Sequence, residues 1–61
     1  MSNKKKYFTI NGTDGYENSY LTIHKENGKI HVYSSEECSD VVLGIKQARE
    51  LIDAINKCIV E

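Results

Sequence analysis

The side chains that could do chemistry are few and scattered along the chain. The two histidines, His24 and His31, are the only imidazoles among 61 residues. Imidazole can act as a general base or a metal ligand. A zinc site needs a third protein ligand, and the pattern shows no obvious third ligand on the same face. The cysteines, Cys38 and Cys58, form no CxxC motif and no Cys/His cluster, so the sequence predicts neither a zinc finger nor a disulfide framework.

The sequence also lacks recognisable motifs for catalysis. Cys38 lies among acidic residues, which should keep its thiol protonated and unreactive. Glu36 and Glu37 are adjacent, but no nucleophile or base accompanies them, and no glycine-rich phosphate loop follows a strand. We therefore expect a protein that is not an enzyme, with no catalytic residue, no cofactor and no bound metal.

Charge and hydropathy narrow the class of protein further. Eight basic and nine acidic side chains give a net charge of −1, which provides no general attraction to nucleic acid. No signal-peptide h-region follows Met1, and no apolar stretch is long enough to span a bilayer. The expectation is a cytoplasmic protein with reduced thiols and no membrane partner.

A long amphipathic pattern occupies residues 44–61 and organises the rest of the chain. Its apolar positions recur at spacings of three and four and form one stripe, consisting of Ile45, Ala48, Ile52, Ile55 and Ile59, with Leu51 and Cys58 beside them. This periodicity predicts a helix over about 45–60. Such a helix needs an apolar surface to lie on, and the preceding residues must supply it.

Three alternating segments precede the helix and predict strands over about 6–12, 17–26 and 29–35. Asn27-Gly28 is the pair preferred in a two-residue hairpin turn. A turn at this point places Glu26 opposite Lys29. Counting outward from the turn, the same register places the two histidines, 24 and 31, opposite each other.

The first hairpin offers two turn dipeptides, Asn11-Gly12 and Asp14-Gly15. We favour a turn centred on Asp14-Gly15, which pairs Phe8 with Leu21 and residue 10 with residue 19. A wider loop over residues 12–17 is the alternative. Either way, the apolar side chains of the first two strands share one face of the sheet.

Residues 40–43 can be interpreted as a fourth strand or as the first turn of the helix. Gly44 would weaken a helix interior by about 1 kcal/mol, whereas it suits an N-cap, so we favour the strand. The predicted fold is a single domain over residues 1–61, of the α+β class. It is an antiparallel three- to four-stranded β-meander with one C-terminal α-helix packed on one face. Residues 1–5 are expected to be flexible.

The sheet face opposite the helix carries the most distinctive side chains of the sequence. They are predicted to be Tyr7, Thr9, Tyr20, Thr22, His24, His31 and Tyr33. Tyr and Thr have high β propensity, so the simplest interpretation is a solvated sheet face. Tyrosine is also enriched in interface cores, which makes this face our candidate binding surface. Because so short a chain has a marginal core, we expect self-association as a homodimer, and the face would serve either as the dimer seam or as the site of a partner protein.

A nucleic-acid-binding module is the alternative function. Bases could stack on the tyrosines of this face while nearby lysines hold the phosphates. The residues concerned would be Lys4, Lys5, Lys6, Tyr7, Tyr20 and Tyr33. No RRM-type motif accompanies them.

Residues 42–51, VLGIKQAREL, resemble the closing segment of many small uncharacterised bacterial and phage proteins. Those proteins have a few strands, a cap of Ser or Gly, and then a helix that reads QAREL. Here Gly44 and Ile45 stand where Ser and Pro are frequent. The resemblance implies a compact strand-meander-plus-helix module with no known activity. By analogy it also implies a phage or mobile-element accessory protein or inhibitor, whose partner is a host or phage protein.

Overall fold

The computed structural model describes residues 6–61, which form one four-stranded antiparallel sheet followed by one helix. The strands adjoin in chain order: β1 (Phe8–Asn11), β2 (Tyr20–Glu26), β3 (Lys29–Ser34) and β4 (Ser39–Leu43). The helix, α1, spans Ile45–Val60. The predicted α+β meander with a C-terminal helix is confirmed, and the apolar run before the helix is a strand. The expectation of flexibility at residues 1–5 lies outside the described residues.

The β2–β3 hairpin has the predicted turn and the predicted register. Asn27 and Gly28 have φ values of 54° and 75°, as a two-residue turn with two left-handed positions requires. Glu26 pairs with Lys29, and the pairing continues outward to the two facing histidines, residues 24 and 31.

The predicted register of the first hairpin is wrong by two residues. Phe8 pairs with Ile23, and Ile10 pairs with Leu21. Residues 12–19 form a loop of two successive turns, in which the Tyr16 N–H donates to the Thr13 carbonyl at 2.8 Å and the N–H of residue 19 donates to the Tyr16 carbonyl at 3.0 Å. The first of these turns does have Asp14 and Gly15 as its central residues, but the second turn lengthens the loop, so the strands are not joined by a two-residue hairpin turn there. Because the shift is an even number of residues, the predicted faces are unchanged.

Helix α1 begins directly after β4. Gly44 is its N-cap, with extended backbone angles (φ −71°, ψ 170°), and its carbonyl accepts the N–H of Ala48 at 2.9 Å. At 16 residues, and with charged side chains along one side, α1 does not reach the length and hydropathy of a membrane span. The described residues contain no other helix.

The layer between helix and sheet is open. Helix α1 contacts β3 and β4, yet no residue in the range 6–61 is buried. An apolar cleft of about 590 Å³ separates the two surfaces, and it is lined by Leu21, Val32, Val41, Leu43, Gln47, Glu50, Leu51 and Ile55. The Cα radius of gyration is 13.1 Å, whereas a compact domain of this length would have about 10.5 Å. The helix therefore lies over the predicted face without closing a core.

Candidate functional sites: an aromatic face and a helix seam

All residues predicted for the binding surface lie on the sheet side opposite α1. Residues directly paired across strands share a face, as do residues two apart along a strand, and the observed register places the strand members together. Tyr7 precedes β1 and joins them through a ring contact with His24. We call this surface the aromatic face: Tyr7, Thr9, Tyr20, Thr22, His24, His31 and Tyr33.

Ring contacts divide the aromatic face into two groups. The ring centroid of His24 lies 4.6 Å from that of Tyr7 and 4.8 Å from that of His31, on which it stacks with an interplanar angle of 20°. Tyr20 and Tyr33 form the second group, with ring centroids 6.3 Å apart. The two groups are separated along β2 by residue 22. Each presents a preformed aromatic contact area, which suits an interface.

The hydroxyl of Tyr33 is held in its protonated form. Partial burial raises the pKa of Tyr33 above its ordinary value of 10.0, and the neighbouring Cys38 and Tyr20 side chains, followed by Asp40, raise it further. A hydrogen bond between this hydroxyl and the Cys38 side chain acts in the same direction, so the hydroxyl already has a partner within the chain.

The histidine pair has a third polar neighbour that the sequence analysis missed. Nε2 of His24 lies 3.2 Å from Oε1 of Glu26, and the side chains of His24, Glu26 and His31 each offer a ligand atom within 4.8 Å of the others. The hairpin register predicts Glu26 only as the cross-strand partner of Lys29. The period of two along a strand was the available signal, because residues 24 and 26 necessarily share a face.

The second surface is the apolar side of α1, part of which is exposed and does not line the cleft. Ile52 and Ile59 are 60% and 73% exposed and do not line the cleft, whereas Leu51 and Ile55 do. We call the stripe that runs along α1 the helix seam: Ile45, Ala48, Ile52, Ile55 and Ile59. Its alternating spacings of three and four are the a and d positions of paired helices. The periodicity of residues 44–61 predicts this stripe and a sheet beneath it, but it does not predict that part of the stripe stays exposed.

No family model matches the chain, and no significant match is found among curated proteins or among solved structures. The resemblance of residues 42–51 to phage and bacterial proteins therefore stays a prediction. The fold defines a small α+β module, and inference about its function rests on its own two surfaces.

Proposed function

We propose that this protein is a non-enzymatic binding module that acts through protein–protein contact and works as a homodimer. The observation that carries this proposal is the open apolar layer. Within residues 6–61 no side chain is buried, while large aliphatic side chains on both the helix and the sheet are exposed. Exposed apolar surfaces of this extent are typical of interaction sites.

The energetics favour covering the helix seam. Fully burying an isoleucine side chain contributes about 1.5–3 kcal/mol, so covering one that is half exposed recovers on the order of 1 kcal/mol. Ile52, Ile55 and Ile59 are all at least half exposed. A chain of this size has a marginal core of its own, so this gain is a substantial fraction of its stability.

The helix seam is suited to packing against the same seam of a second copy of the chain. The spacing of the seam allows an identical helix to interdigitate with it along the roughly 24 Å of α1. An interface between two such helices is self-complementary, as a two-fold dimer requires. The opposite side of α1 is polar and carries an exposed ion pair between Lys57 and Asp53 at 3.0 Å. That side stays in solvent.

Pairing through the helix seam would leave the aromatic face free for a partner protein. Of the two roles that the sequence predicts for the aromatic face, dimer seam or partner site, this proposal keeps the partner site. The weak resemblance of residues 42–51 supports a phage or mobile-element accessory role, in which the partner is a host or phage protein. The unpaired thiols of Cys38 and Cys58 are compatible with action in the cytoplasm.

Sedimentation equilibrium at tens of micromolar tests the dimer. We expect twice the chain mass for the wild type and the monomer mass for Ile52→Asp, because a charge in the helix seam would be buried without a partner. Lys46→Asp is the matched control, because it places the same residue on the opposite side of the helix. This variant should remain dimeric.

A monomeric wild type would overturn the proposed homodimer, whereas dimers in both variants would rule out the helix seam as its interface. Circular dichroism distinguishes loss of the dimer from loss of the fold. Ile52 is exposed within one chain, so Ile52→Asp should retain the sheet signal while it loses the dimer.

A further inference from the structure

We propose that His24, Glu26 and His31 form a binding site for a divalent transition metal ion of the zinc class, one ion per chain. The site lies on the aromatic face, on the side of the sheet opposite α1. It therefore does not depend on the dimer proposed above.

One pair of the three ligand atoms is already at the separation that a metal ion requires, and the third ligand atom lies near both. Nε2 of His24 and Oε1 of Glu26 are 3.2 Å apart. Two ligands of a tetrahedral zinc ion, each about 2.0–2.1 Å from the metal, are separated by roughly 3.3 Å. All three ligand atoms lie within 4.8 Å of one another, so binding requires only a small rotation of side chains on an open surface.

The β2–β3 hairpin holds the ligands in place. His24 and His31 are directly paired across the strands, and Glu26 is the last residue of β2, next to the turn. The ring of His24 lies between the rings of Tyr7 and His31, and its side chain is only 14% exposed. The paired backbones therefore keep the two imidazoles adjacent, and packing between two rings restricts the His24 side chain. A site held this way loses little conformational entropy on binding.

The donor set determines the class of metal. Two imidazole nitrogens and one carboxylate suit zinc and its neighbours in the first transition row, whereas magnesium and calcium prefer sites built from oxygen ligands. Three protein ligands leave the fourth position of a tetrahedral zinc ion open to water or to a ligand group from a partner. The Glu26 side chain is 38% exposed, so the site is open to solvent.

Isothermal titration of the full chain with zinc chloride, after treatment with a chelator, tests this site. We expect one zinc ion per chain. Glu26→Gln and His31→Ala should each weaken the affinity by at least 10-fold, since the loss of even an outer-shell partner costs about 10–100-fold. The controls are Glu37→Gln, which makes the same change on an exposed loop, and Cys38→Ser, which removes the exposed thiol of that loop. Both controls should bind zinc as the wild type does.

A second measurement separates ligation from surface adsorption. Nitrogen-15 NMR of the imidazole rings should show both histidines shifting together at one equivalent of zinc, with no further change beyond it. The proposal is overturned if zinc does not bind or if the affinity is unchanged in Glu26→Gln. It is also overturned if the affinity falls in Cys38→Ser, because the thiol would then be a ligand.

Discussion

The histidine cluster shows which contacts between side chains can be predicted from the sequence and which cannot. The turn at Asn27-Gly28 was sufficient to predict that His24 faces His31, since a two-residue hairpin fixes the register. Glu26 was missed because it had already been assigned to Lys29 across the strands. A side chain beside a turn can contact both its cross-strand partner and the residue two positions back on the same face. Sequence reasoning that stops at one partner therefore overlooks clusters of three.

The pKa of the Glu17 carboxyl provides a test at the scale of single residues. The N–H of Gly15 donates to Oε2 of Glu17 at 3.1 Å. This backbone hydrogen bond, followed by one from the N–H of Glu17 itself, lowers the pKa of the Glu17 carboxyl below its ordinary value of 4.5. Because the pKa is lowered in the folded state, the contact stabilises the loop above about pH 4.5 and is lost as the pH falls through the lower, folded pKa.

The amide proton shift of Gly15, followed by NMR from neutral to acid pH, measures this loss. We expect a transition below pH 4.5 in the wild type and none in Glu17→Gln, whose side chain carries no charge to lose. Glu37→Gln should titrate at Gly15 as the wild type does. A Gly15 transition centred at or above pH 4.5 would contradict the lowered pKa.

At the scale of elements, the two hairpins explain why one register was predictable and the other was not. Asn27-Gly28 sits between two alternating strands that leave no room for a longer loop. In the first hairpin, Asn11-Gly12 and Asp14-Gly15 compete, and the residues between the strands are mostly polar. A slip of two residues keeps every apolar side chain on its own face. The hydrophobic pattern therefore cannot distinguish the two registers, and the loop hydrogen bonds decide between them.

The β2–β3 turn should be the most sensitive point of the sheet to backbone substitution. Gly28 has a φ of 75°, and a β-branched residue is strained there. We expect Gly28→Val to lower the free energy of unfolding by about 1–2 kcal/mol. Lys29→Val is the control, because it introduces the same side chain at a strand position and should change stability by less than about 0.5 kcal/mol.

Urea denaturation at a fixed protein concentration measures both variants. Equal losses of stability in the two would show that the valine side chain, and not the left-handed backbone at position 28, is responsible. In that case the assigned turn geometry would be wrong.

For the whole molecule, sequence periodicity gave the elements and their order but not the burial. It locates the apolar arc of a helix, but it does not say which surface that arc meets. Here Leu51 and Ile55 line the cleft over the sheet, while Ile52 and Ile59 are exposed and do not line it. Whether an amphipathic helix covers its own sheet or pairs with another chain depends on the angle at which it leaves the last strand. No pattern of residue types encodes that angle directly.

Net charge is the whole-molecule property that separates the two candidate functions. The chain carries −1, and a homodimer doubles that charge, so phosphate attraction would depend on a local cluster of lysines. Of the three lysines at positions 4–6, only Lys6 lies within the described residues. We therefore expect a labelled single-stranded oligonucleotide to show no saturable binding at about 0.15 M salt, as measured by fluorescence anisotropy. A protein contact through Tyr20 and Tyr33 should tolerate added salt and weaken when both tyrosines become alanine.

The triple change of Lys4, Lys5 and Lys6 to alanine is the matched control for the oligonucleotide experiment. It removes the three consecutive lysines of the sequence and leaves Tyr20 and Tyr33 in place. Suppose instead that the wild type binds the oligonucleotide, that the affinity falls steeply as salt rises, and that the triple variant does not bind. Counterion release would then account for the interaction, and the aromatic face would be a stacking surface for bases rather than a protein interface.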